Sequence, residues 1–403
     1  MDLADKMIDG RKPITVIGAG VAGLALARAL ALRGAKVTLL EQASAVTDIG
    51  AGLQISPNGA AVINALGLEA ALGKASLPAK AVSLRDGLTD KPVLTMDLTR
   101  DRTARGFHLI HRADLISLLL EGAVAAGVDL RLNHKIDRVD LSGPAPVLHF
   151  KDGSRQVTPI LLGADGLHSP VRAALNGPKA PFFTHQVAWR ATIANSAAED
   201  GCVEVHMGPG RHLVSYPLRG GLRNIVAVEE RREWAAESWS LRDDPANVQR
   251  AFASFSPKAR GWLAQVDAPS LWGLFRHPVA PVWHKVLPTG AVAILGDAAH
   301  PTLPFLAQGA NMALEDAWVL AQCLANHDAL DTALAAYQAA RKHRTAAMVA
   351  AANSNARAYH LGGTARRMAH LGLRIGGRLA PNFALSRFDW IYGHDVTSEV
   401  APR

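Results

Sequence analysis

Cysteine is nearly missing from this chain of 403 residues: there are two, Cys202 and Cys323, and neither belongs to a C-x-x-C pair. That leaves no thiol-based zinc or redox motif, and two free thiols fit a reducing compartment. Long apolar runs are missing as well. The Ala/Leu-rich segment Val21–Leu32 is cut short by Arg33 and Lys36, below the roughly 18 residues that a membrane-spanning helix requires. Met1 to Lys12 is polar and charged, without the apolar core of a signal peptide, so a cytoplasmic location is expected. Repeats and low-complexity stretches are absent. No basic run is interleaved with aromatics, so the formal charge of +8 does not point to nucleic acid. The Arg-richest piece, Ala365 to Arg378, reads as an amphipathic helix with a solvated or subunit-facing surface. What is present is a hydrophobic fraction of 49%, enough for a large core and against global disorder. The length suits one large or two intertwined domains.

Ile14–Gly18 is a short apolar run entering a Gly-rich turn, the pattern of a buried parallel strand. Val21 to Arg33 predicts a helix ended by Gly34, and Lys36 to Glu41 a second strand. The chain thus begins with a β-α-β unit. Pro78 to Arg105 and Pro181 to Leu274 show short alternating stretches, the mark of strands in a second sheet. Ile160–Ala164 and Ala291–Leu295 return to the buried-strand pattern, Ala113–Ala126 and Gly309–Asn326 to the helical one. The expected fold class is α/β: a doubly wound Rossmann-like domain (residues 1–77, 106–180 and 276–355) interleaved with a β-sheet domain (78–105 and 181–275), then a helical C-terminus (356–403).

Gly18-Ala19-Gly20-Val21-Ala22-Gly23 is a G-x-G-x-x-G string that follows a strand, opens a helix and is answered by Glu41 at the end of the next strand. In that context the string is a dinucleotide fingerprint. Gly18 permits the tight turn, Gly20 lets a pyrophosphate approach the backbone, and Gly23 lets helix and strand pack closely. The helix start, with Ala22 in its first turn, offers free N–H groups to phosphate. Glu41, followed by Gln42, would accept from the ribose hydroxyls and repel a 2′-phosphate, which favours FAD or NAD over NADP. Two further motifs follow strands: Gly163-Ala164-Asp165-Gly166 with Ser169-Pro170-Val171-Arg172, and Gly296-Asp297-Ala298-Ala299-His300-Pro301. A simple NAD dehydrogenase has no use for these.

The three motifs, in this order and spacing, resemble the group A FAD-dependent aromatic hydroxylases with the p-hydroxybenzoate hydroxylase fold, over nearly the whole chain. The resemblance implies a non-covalent FAD and NADH or NADPH as co-substrate. By the same resemblance Asp297 would bind the ribityl chain, Asp165 would lie near the pyrophosphate and help organise NAD(P)H binding, and Arg112 would contact FAD from its helix start. For Arg112 the plain alternative is a salt bridge to Asp114. The stretch Gly50-Ala51-Gly52-Leu53-Gln54-Ile55-Ser56-Pro57-Asn58 matches the family segment that runs beside the isoalloxazine ring. Gln54 stands where some pyridine-ring hydroxylases carry a flavin-linking His, so no covalent flavin is expected. Pro304 matches the proline of the flavin-facing loop. The helix begun by Gly309, Ala310 and Asn311 would aim its N-terminus at the flavin's pyrimidine edge, where reduced flavin is negative.

On the substrate side the chain is most similar to the salicylate, 3-hydroxybenzoate 6- and 6-hydroxynicotinate hydroxylases. The shared signals are Trp189–Ile193, Tyr216–Gly221, Pro304–Gly309 and Asp389–Asp395. His212 and Tyr216 lie four apart on an expected strand, hence on one face. With Gln308 they match the polar set around the phenol in 3-hydroxybenzoate 6-hydroxylase. A phenol must lose its proton to become electron-rich enough for a flavin C4a-hydroperoxide, and His212 is the natural base near neutral pH, directly or through Tyr216. The plainer readings are a surface His and a Tyr packed in the sheet. His206 reads as packing, and His300 and His111 as structural. Arg190, Arg219 and Arg223 are alternative partners for a substrate carboxylate. The implied partners are a small aromatic acid, O2 and NAD(P)H, with no metal. Rival readings are an epoxidase or hydroxylase of a bulkier isoprenoid or polyketide, and a non-catalytic flavin-binding protein. A halogenase is disfavoured because its W-x-W-x-I-P string is absent. The long C-terminal helices allow for a homodimer.

Overall fold

The computed structural model describes residues 12–46, 51–100, 103, 105–195, 200–231, 241–380 and 383–398. Gly50 of the second Gly-rich stretch lies outside these. The run Ile14–Ile17 is buried throughout and pairs in parallel with Ile160–Gly163 on one side and Val37–Leu40 on the other. Strands buried on both faces are apolar without alternation, as here. Gly290–Ile294 and Asp129–Arg131 extend the parallel sheet, and His284–Leu287 closes one edge antiparallel. The Ala/Leu-rich segment forms the helix Val21–Ala31, which packs on the sheet and on the helix Gly309–Asn326.

The second sheet has seven strands. Its order is Ser270–Arg276, Phe182–Ala194, Leu222–Glu230, Arg211–Leu218, Cys202–Gly208, Ala81–Asp86 and Pro92–Asp97. A parallel pairing of Cys202–Gly208 with Ala81–Asp86 joins the two distant stretches into one sheet. Between the large sheets lies an antiparallel sheet of Gly52–Ile55, Phe107–His111 and Ser76–Ala79. The flavin-side stretch is therefore a strand, and it is held by pairing with the residues just before Arg112. A long helix, Leu330–Tyr359, is followed by Gly363–Leu379 and the short Phe383–Ser386, which reach back to the second sheet, and by Asp389–Tyr392, which meets the helix Pro57–Ala65. Among the described residues no helix is long and apolar enough to cross a membrane.

His206 does not share the face of His212: the register sets Met207 beside His212 and His206 beside Leu213. His206 is buried on the opposite side among Glu204, Asp90 and Trp262. Arg85 and Lys258 supply the cations that these carboxylates need.

Candidate active site

Register brings the three strand-end motifs together. Ile17 lies beside Gly163, and Gly163 beside Ile294, so the turns that follow open at one edge. Each glycine there has a distinct reason. A Cβ on Gly18 would stand 2.5 Å from the Ala164 carbonyl oxygen, and Gly18 has φ +95°, where side chains are strained. A Cβ on Gly23 would stand 1.8 Å from the Gly18 carbonyl oxygen. A Cβ on Gly20 would meet nothing within 4 Å. Gly18 and Gly23 are thus required by the protein's own packing, whereas Gly20 faces open space at the start of a helix with no side-chain cap and no acidic residue in its first turn. Uncapped N–H groups beside a space free of side chains fit a pyrophosphate.

Glu41 is fixed beside this turn: its carboxylate accepts from the Ala19 N–H at 2.8 Å and the Ala43 N–H at 2.9 Å. Each carboxylate oxygen retains a second acceptor position. Gln42 is exposed next to it, and Ala22 is buried, within packing reach of Gly296. Asp165 accepts from the Ser169 hydroxyl and the Val171 N–H. Burial pushes its pKa up, against those two bonds, to about 6. Asp297 is the exposed residue in an otherwise buried run from Gly290 to His300, so its carboxylate looks into the crevice. Arg112 lies close enough to Asp297 to act on its charge.

Below Asp297 is a buried ionic knot. Asp316 accepts from the Gly296 N–H at 3.0 Å, from the Arg341 Nε at 2.8 Å, and is bonded to His300. Its neighbour Glu315 takes Arg341 at 2.6 Å and Arg344 at 2.9 Å. Arg344 also donates to the carbonyls of Trp390 and Ile391, tying down the C-terminal tail. Burial alone would raise Glu315, but Arg341, Arg344 and Asn58 outweigh it and hold the acid at about 2. Asp316 is lowered in the same way, chiefly by His300 and Arg341. This knot sets the geometry of the Gly296–Asp297 turn, and His300 is structural within it.

The Asn58 amide links the knot to the cavity, donating to Glu315 at 2.6 Å and to the Gln308 side-chain oxygen at 3.1 Å. Gln308 in turn donates to the Ser56 hydroxyl at 2.9 Å. Asn311 is fully buried; its amide donates to the Gln54 and Ala307 carbonyls and accepts from the Ser56 N–H. The strand that carries Gly52, Leu53 and Gln54 is therefore bolted to the helix start at Gly309 and Ala310. Gln308 caps this helix without a side-chain bond and no acid occupies its first turn. The loop before it turns at Pro304–Leu306 and ends in Ala307 at φ +52°, a strained conformation for a residue with a side chain.

A cavity of about 440 Å³, counting its open mouth, lies against these residues. Gln54, Ser56, Leu306, Ala307 and Gln308 form one wall; Val82, Met96, Phe107 and Tyr392 are among those of the other. Tyr216 packs with Val82, Leu98, Phe107 and Leu109 at this wall. A Cβ on Gly52 would come within 2.9 Å of the Tyr216 hydroxyl, and Tyr216 is hydrogen-bonded to Gln54. Burial raises the Tyr216 pKa, with Arg190 and Gln54 opposing.

His212 is on the same face of the sheet as Tyr216, buried beneath Phe305, Tyr359 and His360. The reading of a surface histidine is thereby excluded. Burial, then the neighbouring His360, lowers its pKa well below the ordinary value. The arginines separate by face. Arg190 shares the side of Tyr216 and stacks on Trp272. Arg223 is buried on the other side, bonded to Ser215 and stacked on Trp262. Arg219 is exposed at the hairpin end. Sequence reasoning missed Ser56, Asn58, Asp316, Arg341, His360 and Tyr392. Ser56, Asn58 and Tyr392 sit in the matched stretches Gly50–Asn58 and Asp389–Asp395 without being singled out there; Asp316, Arg341 and His360 act through contacts that no local pattern encodes.

The sequence profile of the FAD binding domain family matches residues 11–352. The chain is 34% identical to the 3-amino-4-hydroxybenzoate 2-monooxygenase of Streptomyces platensis, over 96% of this chain and 97% of that one. It is 33% identical to the 3-hydroxybenzoate 6-hydroxylase of Polaromonas naphthalenivorans (strain CJ2), over 96% and 98%. A solved salicylate hydroxylase in complex with substrate superposes with a TM-score of 0.79 at 25% identity, over 97% and 98% of the two chains. With the glycine cradle in place and this similarity running nearly end to end, the chain belongs to the FAD binding domain family, among the group A FAD-dependent aromatic hydroxylases.

Proposed function

We propose that this protein is a monooxygenase that hydroxylates a small phenolic or heteroaromatic acid, using FAD, NADH or NADPH, and O2. The observation that carries the reading is the juxtaposition of an apolar cavity, the Gln54 and Gln308 amides, and the Tyr216 ring, with His212 four residues away on the same sheet face. Relatives of nearly full-length similarity are named for hydroxybenzoates and aminohydroxybenzoates.

FAD, when bound, supplies electron transfer from the nicotinamide and the activation of oxygen. The chain's part is to hold it and to prepare the ring that is attacked. Gly18, Gly20, Ala22 and Gly23 receive the pyrophosphate, Glu41 and Gln42 the adenosine ribose, and Asp297 the ribityl hydroxyls, by charge-assisted bonds. Arg112 and Asp165 flank the same crevice. Gly52, Leu53 and Gln54, with Pro304 on its loop, would hold the ring system. The helix start at Gly309 and Ala310 directs its positive end to the edge where negative charge develops, and Asn311 keeps that helix registered with Gln54.

On the substrate side, His212 accepts the phenolic proton, Tyr216 orients the hydroxyl, and Gln308, held by Ser56 and Asn58, supports it from the other wall. A low pKa keeps His212 neutral, the form a base needs. Of the three candidate arginines Arg190 is the one able to serve an anion on this side. The largely apolar lining excludes water, which protects an oxygen-transfer reaction from wasteful side reactions. The test is NADH and NADPH oxidation by the yellow holoenzyme with salicylate, 3- and 4-hydroxybenzoate, 3-amino-4-hydroxybenzoate and 6-hydroxynicotinate, with products weighed for one added oxygen. Strong stimulation with oxygen gain is the expected result. Bound FAD with no response to any ring would overturn the small-acid reading.

A further inference from the structure

The His212 imidazole does not end in packing. Its Nδ1 lies 2.7 Å from Nε2 of His360, and Nδ1 of His360 lies 2.7 Å from a carboxylate oxygen of Glu230. His212 and His360 are both buried, whereas the Glu230 side chain is 50% exposed. The three groups form a file from the buried His212 ring, on the sheet face that also bears Tyr216, to solvent. Its backbone is pinned: the Gly210 N–H donates to the His360 carbonyl at 3.0 Å, and the Glu230 N–H to the Gly210 carbonyl at 2.8 Å.

Hydrogen-bond roles along the file follow from its end. A carboxylate only accepts, so the neutral His360 ring donates from Nδ1 to Glu230 and presents a lone pair on Nε2. Nδ1 of His212 must then carry the proton that is shared with His360. That leaves Nε2 of His212 with a bare lone pair, and no described residue bonds to it. A third group thus fixes the tautomer in which the histidine is a base.

We infer that His360 and Glu230 are a proton-exit relay for His212, setting its tautomer and passing the substrate's hydroxyl proton to solvent. The inference rests on His212 being the base. The balance is simple. The substrate O–H bond breaks and an N–H forms at His212 Nε2. The Nδ1–H of His212 passes to His360 Nε2, and the Nδ1–H of His360 passes to Glu230, which gives it to water. Each ring gains and loses one proton and no electrons move. The other charges around His360 are Arg211, which opposes a positive ring, and its partner Glu229 at 3.2 Å; Tyr359 packs against His212 from the same helix end. His360 is a positioning residue that touches no substrate.

The experiment uses FAD-loaded protein without NADH, mixed in a stopped-flow instrument with 3-hydroxybenzoate or 3-amino-4-hydroxybenzoate and phenol red in weak buffer. Near-ultraviolet absorbance reports phenolate formation, and the dye reports the released proton. His360→Gln is expected to bind with unchanged affinity while both signals slow by about tenfold or more, within the range of acid–base contributions. Free imidazole is expected to restore the rate of His360→Gly. Glu230→Gln should slow dye protonation less, because water reaches that end. A wild-type rate in His360→Gln, or a His360→Gly defect that imidazole does not touch, overturns the relay. If the wild-type protein binds both ligands and forms no phenolate, the assignment of His212 as base fails first.

Discussion

The wall built by the glycine turns and the wall built by the seven-stranded sheet differ in how far apart their parts lie in the chain. The glycine wall is local: each turn follows its own strand by one or two residues, and steric need dictates its residue types at Gly18 and Gly23. The sheet wall draws on Val82 and Tyr392 at the cavity, and on Tyr216, His212, Phe305 and His360 packed about the same sheet, which meet only through long-range pairing and the returning C-terminus. Local constraint makes the first wall readable as a motif. The second can vary residue by residue, as a wall that selects among rings must.

The sharpest way to break this contrast is to remove a distant support from the local wall. Arg341→Leu strips Glu315 and Asp316 of their shared cation while both stay buried. Uncompensated buried charge costs about 3–5 kcal/mol, and urea unfolding should show a loss of that order together with weaker FAD retention. The pH dependence has a definite sign. Both acids are depressed in the folded protein, Glu315 to about 2. Their contribution is fully present above the unfolded carboxyl values near ~4 and is lost as pH falls toward about 2. The variant should lose part of this acid-labile increment, since Arg344 and His300 remain as partners; a loss under 1 kcal/mol with an unchanged acid profile would mean that the knot does not support the turn.

The sheet wall is tested next. His212→Gln should lower kcat/KM by about 100-fold or more, the scale of a lost general base. Burial holds the His212 pKa well below its usual value, so the acid limb of the wild-type profile should lie below pH ~6.5. The variant should lose that limb while FAD remains bound. An unaltered rate would remove His212 from the chemistry and leave the cavity to Tyr216 and Gln308.

Legibility in the sequence followed the same division. Ile14–Ile17 and Gly309–Asn326 could be read to within a residue, because an apolar run entering a Gly-rich turn and a long Ala- and Leu-rich segment opened by Gly309 are local signals. The stretch at Gly52 could be matched to the family's flavin-side segment, but its being a strand could not be read: the lost side chain makes room for the Tyr216 ring and the Asn224 side chain from another sheet. His212 and Tyr216 could be placed on one face by their even spacing. His206 could not, because its position depends on cross-strand register, which a hairpin turn sets and spacing does not. Nothing local marks His360 as the partner of a residue 148 positions away.

The finest test separates two glycines three positions apart. A Cβ at Gly23 would run into the Gly18 carbonyl at 1.8 Å, whereas one at Gly20 meets no protein atom within 4 Å. Gly23→Ala should therefore destabilise the apoprotein by about 1–3 kcal/mol, the usual cost of overpacking. Gly20→Ala should leave the apoprotein's unfolding curve unchanged, since Gly20 has φ −82°, open to any residue. Its effect belongs to the ligand. A methyl group in the space reserved for phosphate should weaken FAD binding by about tenfold or more, read by flavin fluorescence during reconstitution, which is roughly 1.4 kcal/mol. If both substitutions destabilised the apoprotein alike, the open space at Gly20 would be a packing requirement. If Gly20→Ala took up FAD with unchanged affinity, the pyrophosphate would have to approach the helix by another edge.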